Sequence, residues 1–452
     1  MPKLITNRIE LLNKNIFKKI SYYKKTNMAL PRKLLAPQMP LGDDSFNQRT
    51  IDLYAASANS QSKYQPGDKL LFQFPNYARS FIDFSKSFIK FDLKVTETSG
   101  ACRANDGLPI FERVTVRVGS KSIEDIDSYY SLEKIMDNIT KTKADKDLSE
   151  LYGDYSGERI SHALINTIQE AAGGASYIKR LYSGVLGNEE YMFPIHRLNV
   201  GNALEIELTL ADVKIALSAS VGTPVDVNYE ISNVRYQLCL LKVSDSFFNK
   251  YNSLANNNEL ILPMTTYKRH LANIGVGHVE PVIFVQDNAK NLKRTYTVFR
   301  KNPSTITSTD LVQQPHFLKG IHDSVNKLLK YQWKYMSRQF PESPAEAVGN
   351  HNVFLANLLT NSKNSLTMGL PAIVGTYDKN FVLVQDFTYS DDEIVNGVNI
   401  AASGSPLILE LKFAGAATET TLVETFTESS LNLVLDEHGN ASISQKTKMV
   451  NT

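Results

Sequence analysis

The stretch "IKFDLKVT" (Ile89–Thr96) alternates without a break: Ile89, Phe91, Leu93 and Val95 fall on one parity, Lys90, Asp92, Lys94 and Thr96 on the other. Successive side chains point to opposite faces of a strand, so this ribbon lays one face on a core and turns the other to water or a polar neighbour. The same pattern returns in "KLLFQF" (Lys69–Phe74), "RVTVRV" (Arg113–Val118), "ALEIELTL" (Ala203–Leu210) and "RYQLCLLKV" (Arg235–Val243). Each is rich in the β-branched and aromatic residues that suit a pleated, half-buried surface. Just upstream, "SFIDFSKS" (Ser80–Ser87) carries Ile82 and Phe84 on the even parity, whereas Ile89 and Phe91 are odd. The flip predicts a bulge or short turn around Ser85–Ser87.

A chain of 452 residues exceeds one ordinary core, and 42% hydrophobic with 21% charged residues is the balance of a folded soluble protein. The sequence has no run of the roughly eighteen apolar residues that span a bilayer and no signal-peptide block, so synthesis in the cytosol is expected. Cys102 and Cys239 are its two cysteines. They are too few for a disulfide scaffold or a structural zinc site, so packing must supply the stability.

In "SLEKIMDNIT" (Ser131–Thr140), Leu132, Ile135, Met136 and Ile139 fall at helical spacing. The second half repeats the order of elements. "LLKYQWKY" (Leu328–Tyr335) alternates as a strand, and "SPAE" after it reads as a helix start, with Ser343 capping, Pro344 in the first turn and Glu346 completing a capping box. "LEIELTL" (Leu204–Leu210) matches "LILELKF" (Leu407–Phe413), with Glu207 on Glu410 at an offset of 203 residues, and "SLNLVL" (Ser430–Leu435) follows as a further strand. A parallel α/β sheet would need a helix after nearly every strand, and such helices are missing from the pattern. The expected fold is therefore all-β: two consecutive jelly-roll sandwiches, each with a helix in a long inter-strand loop. The expected division is a basic arm and lead-in over 1–60, a first jelly-roll over 61–243, a linker over 244–259 with its Asn cluster, a second jelly-roll over 260–445, and a tail over 446–452.

Charge is unevenly placed. Lys3, Arg8, Lys14, Lys18, Lys19, Lys24, Lys25, Arg32 and Lys33 face only Glu10 within residues 1–33, a net of +8, so the remainder of a +2 chain carries −6. Ile5, Ile9, Leu12, Ile16 and Ile20 would share one side of a helix there, with Lys14 and Lys18 opposite. A flexible basic tail and an amphipathic helix that docks on a membrane surface or a partner both fit this pattern.

The motifs of chemistry are missing from the sequence: it has no GxxxxGK[ST], GxGxxG, HExxH or GxSxG. His351 reads as a surface or packing histidine. Asp391, Asp392 and Glu393 lack the alternate-residue spacing of a calcium loop, and the carboxylates of Asp145–Arg159 read as a solvated helix and its exit. Trp333 sits in unbroken alternation and reads as core or interface. No catalytic, cofactor-binding or metal residue is expected.

"YARSFIDFSKSFIKFDLKV" (Tyr77–Val95), "GLPIFERVTVRVGSKSIEDID" (Gly107–Asp127) and "NVRYQLCLLKVSDSFFNKYNSL" (Asn233–Leu254), taken in order, resemble the double jelly-roll major capsid proteins of Polinton-like viruses, adintoviruses and virophages. The likeness is one of pattern across about residues 64–445, without a diagnostic motif. It implies a structural, non-enzymatic virion protein, assembled inside a host cell as a homotrimer of pseudo-sixfold outline that tiles an icosahedral shell around a DNA genome. It also implies neighbouring capsomers, penton and minor capsid proteins as partners. In that setting the arm meets genome DNA, an internal membrane or a neighbouring capsomer. A two-domain attachment or spike protein, or a carbohydrate-binding sandwich, is the alternative.

Overall fold

A computed structural model describes residues 46–56, 63–96, 99–104, 108–140, 174–188, 191–199, 201–253, 259–301, 328–346, 381–388, 397–401, 404–417 and 420–444. The first half runs β1 (Phe46–Tyr54), β2 (Lys63–Tyr64), β3 (Lys69–Phe74), β4 (Ser80–Thr96), β5 (Ser99–Ala104), β6 (Phe111–Val118), β7 (Lys121–Asp127), α1 (Tyr129–Thr140), β8 (Ala175–Lys179), β9 (Leu204–Leu210), α2 (Val213–Ala216), β10 (Leu217–Val225) and β11 (Asn228–Val243). Helix α3 (Asp245–Ser253) leads to β12 (Leu260–Ile274), β13 (Val282–Val285), β14 (Leu292–Lys301), β15 (Leu328–Tyr335), β16 (Arg338–Glu346), β17 (Leu383–Asp386), β18 (Leu407–Phe413), β19 (Thr421–Leu435) and β20 (Ala441–Ser444).

The quoted ribbon is the second part of β4. Its Ile89, Phe91, Leu93 and Val95 are buried, and Lys90, Asp92 and Lys94 are half-buried on the other face. The expected irregularity is present. Opposite β4, the register slips between Gln237 and Cys239, which face Phe88 and Asp83. Ser87 stitches the bulge, donating to the Asp83 carbonyl at 2.7 Å and accepting from the Cys239 N–H at 3.0 Å.

The two halves have the same sheet orders. In the first, β1-β11-β4-β8 faces β3-β9-β6-β7; in the second, β12-β19-β14-β17 faces β13-β18-β15-β16. Every pairing in them is antiparallel, and chain neighbours are seldom sheet neighbours, which makes each half a jelly roll. The short internal match is a true equivalence: β9 and β18 are each second in their sheet. Ile206 pairs Val116, and its counterpart Leu409 pairs Trp333, so one lattice position holds a valine in the first barrel and the tryptophan in the second. Trp333 is fully buried, and one apolar core runs through both barrels.

Some expectations need correction. β1 lies inside the stretch read as lead-in and pairs with β11 along its whole length. Its polar letters, "FNQRTIDLY", hid it, because an edge strand exposed on much of both faces need not alternate. Helix α1 buries Leu132, Ile135 and Met136 as expected. The helix read from Ser343 does not begin there: Ser343–Glu346 are the end of β16, where Tyr331 pairs Ala345 and Lys330 pairs Glu346. Pairing with β15 overrides the local capping signal, and Pro341 and Pro344 are tolerated because β16 is an edge strand whose outer N–H groups have no ladder to join. Part of the stretch read as linker is α3, anchored by Phe247 packed edge-on against Phe81 at 6.5 Å.

Candidate functional site at the seam between the barrels

The residues singled out in the arm, from Lys3 to Lys33 and from Ile5 to Ile20, lie outside the described residues, as do His351, Asp391–Glu393 and Asp145–Arg159. What the structure brings together instead is a set of buried charges where the first barrel meets the second.

The edge strand β7, the start of α1 and the loop 181–187 of the first barrel lie on the outer face of the β12-β19-β14-β17 sheet. On β19 the alternation turns Glu424 outward, and the seam encloses it completely. Its carboxylate accepts from Ser128 Oγ at 2.9 Å and Ser131 Oγ at 2.7 Å in the first barrel, and from Arg269 Nη2 at 2.5 Å and Arg300 Nη2 at 3.1 Å in the second. Burial opposes its charge, but Arg300 and Arg269, with the two serines, outweigh it and hold the carboxyl below its ordinary value. Arg269 also reaches Asp127 at 2.6 Å, and the Arg300 guanidinium lies over the Tyr130 ring at 4.9 Å. Both arginines thus bind their own sheet to the other barrel.

A second buried carboxylate lies further along the seam. Glu124 of β7 accepts from Ser183 Oγ at 2.6 Å, Gly184 N–H at 2.7 Å and Val185 N–H at 3.0 Å. Burial pushes its carboxyl above the ordinary value, despite these three donors. The loop it fixes runs so close to β12 that a Cβ on Gly184 would stand 1.6 Å from the Thr265 carbonyl oxygen. Glycine is required there by contact alone, and it covers an edge strand that would otherwise present unpaired backbone. At the far end, Asn202 Nδ2 donates to the Gly439 carbonyl at 3.2 Å and to Asn440 Oδ1 at 2.9 Å, locking the β19–β20 turn to the first barrel.

One group in the second barrel has the residue types of a nucleophilic triad. Thr427 Oγ1 lies 3.2 Å from His270 Nε2, and Asp287 is beside both. The geometry is wrong for a relay: Asp287 Oδ2 approaches the same His270 nitrogen, at 3.7 Å, and itself accepts the hydrogen bond of the Thr427 hydroxyl at 2.6 Å. Thr427 is also buried. The arrangement holds the β13–β14 loop to β12 and β19, with Lys268 Nζ at 2.9 Å from Asp287 completing it. Among the described residues no cluster of His, Cys, Asp and Glu is placed to hold a metal ion, and no helix is long and apolar enough to cross a membrane.

Sequence reading missed the seam because alternation shows which residues share a face and is silent on what covers that face. In "TLVETFTESS" (Thr421–Ser430) Glu424 and Glu428 carry the signature of a solvated strand face, yet both are buried.

No protein-family model matches the sequence, and none of the curated proteins matches it. Solved structures do match in fold. VP54 of PBCV-1, fitted into a reconstruction of the virophage Sputnik, superposes with a TM-score of 0.62 at 9% identity, covering 90% of this chain and 99% of that one. The Faustovirus major capsid protein gives 0.56 at 8% identity over 90% and 93%, and the Sputnik virophage structure 0.54 at 11% over 93% and 94%. The fold is the double jelly roll of these viral proteins.

Proposed function

We propose that this chain is the major capsid protein of a DNA virus, assembling as homotrimers of pseudo-sixfold outline that tile an icosahedral shell. The observation that carries this reading is the pairing of two equivalent barrels through a buried, charge-locked seam, in a fold shared along nearly the whole length of a major capsid protein. A capsomer built from paired barrels needs the two held at one angle, and the Glu424 and Glu124 networks supply that rigidity. It needs no catalytic pocket, so its role is structural and non-enzymatic. The basic arm, Lys3 to Lys33 with its Ile5–Ile20 stripe, faces the capsid interior and meets genome DNA, a membrane leaflet or a neighbouring capsomer. Penton and minor capsid proteins complete the shell.

Expression of the full chain tests the reading. Light scattering at micromolar concentration is expected to give a trimer whose pairwise contacts bury more than ~2,000 Å², with closed shells by electron microscopy under assembly conditions. A monodisperse monomer that never forms shells would contradict it.

A further inference from the structure

Helix α3 is held to the first barrel by a patch of its own. On β4, Ile82 and Phe84 belong to the main core, whereas Phe81 lies on the opposite face and joins Val243 and Phe247 in a separate small cluster, flanked by Met192, Leu241 and Phe248. Arg79, just before β4, adds a surface ion pair to Asp245 in the first turn of α3. A helix held by one small cluster and an exposed ion pair can open locally while the barrel beneath it stays folded. α3 is also the link between the barrels, following β11 and leading to β12, and the chain enters β1 at Phe46, opposite Val243.

A histidine stands inside this patch. His196 belongs to a short 3-10 turn, Ile195–Arg197, that Ile195 anchors in the main core. Its imidazole is wedged between β4 and α3, edge-on to the Phe81 ring and to the Phe248 ring, each 4.8 Å away between centroids. Nδ1 lies 3.1 Å from the Ser80 carbonyl oxygen. A carbonyl only accepts, so Nδ1 carries the proton of the neutral ring, and a second proton enters at Nε2, which is itself buried. Burial lowers the pKa of the ring, the Ser80 bond opposes this and the Arg197 charge adds to it, which brings the value from 6.5 to about 4. The charged groups on the elements packed against it are bound to each other: Arg79 to Asp245, and Asp83 of β4 to Lys86 at 3.3 Å.

We infer that His196 is an acid-sensitive clasp: the neutral ring lets α3 close over the first barrel, and a second proton on it drives α3 off, freeing the link between the barrels and baring Phe81, Phe247 and Phe248. Water reaches the charged ring only when α3 is open, so acid favours the open form. The folded value is depressed, so the hold on α3 is full above 6.5 and is lost as pH falls from 6.5 towards about 4. The release is a property of the single chain and is independent of its assembly.

Hydrogen exchange of the full-length chain, read by mass spectrometry at about pH 7.5 and about pH 5 and corrected for intrinsic exchange rates, tests the clasp. With 6.5 for the open ring and about 4 for the closed one, the α3 amides are expected to lose about twentyfold in protection at the lower pH, while those of β4 and β11 keep theirs. His196→Phe keeps an aromatic ring in the patch, and His196→Gln keeps a donor towards the Ser80 carbonyl. Neither titrates, so in both the loss at α3 is expected to vanish, and either suffices if the other does not fold. Equal protection of α3 at the two pH values in the unmodified chain would overturn the clasp, and so would an undiminished loss in the variants. Loss in α3, β4 and β11 together would overturn it as well, because the barrel and not the helix would then be opening.

Discussion

The two barrels share a plan and differ in what lies on the same strand. β4 and β14 hold equivalent places in their sheets, yet the outer face of β4 keeps Lys90, Asp92 and Lys94 half-buried at the surface, while on β14 Arg294, Tyr296, Val298 and Arg300 are all buried. One face is open and the other is roofed by the first barrel. The repeated plan gives the chain two copies of a surface, and burying one of them requires its charges to be partnered inside the protein. Arg300 binds Glu424, and Glu428 accepts from the Tyr296 hydroxyl with Arg294 alongside, 3.6 Å away. An unpartnered charge in that position would cost several kcal/mol.

The sharpest way to break this comparison is to cut one cation from each of the two faces. Arg300→Ala leaves Glu424 buried with one arginine fewer and is expected to destabilise by about 3–5 kcal/mol. Lys90→Ala, on the open face, is expected to change stability by no more than about 0.5 kcal/mol. Urea unfolding of both variants reads the difference, and equal effects would mean that the seam charges are not the locking element.

A contrast of similar origin lies in the core. Val116 and Trp333 occupy one lattice position, so Trp333→Ala opens a large void in the second barrel alone and should cost about 3–5 kcal/mol. Loss of the single tryptophan also removes the fluorescence signal, so circular dichroism must follow the unfolding.

Within the seam, Glu424 and Glu124 oppose each other in pH. Glu424 lies below the ordinary glutamate value of 4.5 when folded, so its stabilisation is present above 4.5 and is lost as pH falls through the folded value. Glu124 lies above 4.5 when folded, so its contribution is full below 4.5 and is lost as pH rises through the folded value. Glu424→Gln should therefore flatten the loss of stability on acidification, and Glu124→Gln should steepen it. Denaturation midpoints between about pH 3 and 7 report both slopes; slopes of the same sign would refute the assignment.

The turns give the smallest effect. Gly119→Ala places a Cβ 2.5 Å from Asn202 Oδ1 at positive φ and should destabilise by more than about 1 kcal/mol. Met336→Gly, in the open counterpart, should stay within about 1 kcal/mol of the unmodified chain.

Much of the fold was legible because alternation survives wherever one face is core. Ile89–Val95 and the Glu207–Glu410 match locate equivalent strands, and the parity flip locates the Ser87 bulge. Three kinds of element escaped. β1 is an edge strand with little to bury, β16 carries a helix-start signal that pairing with β15 overrides, and β14, "LKRTYTVFRK", is buried on both faces and so shows no apolar alternation. The candidate site escaped for a related reason. Glu424, Arg269, Arg300, Ser128 and Ser131 are ordinary surface letters spread over some three hundred residues, and only the meeting of two barrels makes them one network.

Cryo-electron microscopy of the purified full-length chain tests the central claim most directly. The account predicts a particle of three copies whose projection shows six lobes with only threefold equivalence, each copy contributing two barrels joined at the Glu424 seam. A single two-lobed particle, or one in which the two barrels take variable angles, would contradict it.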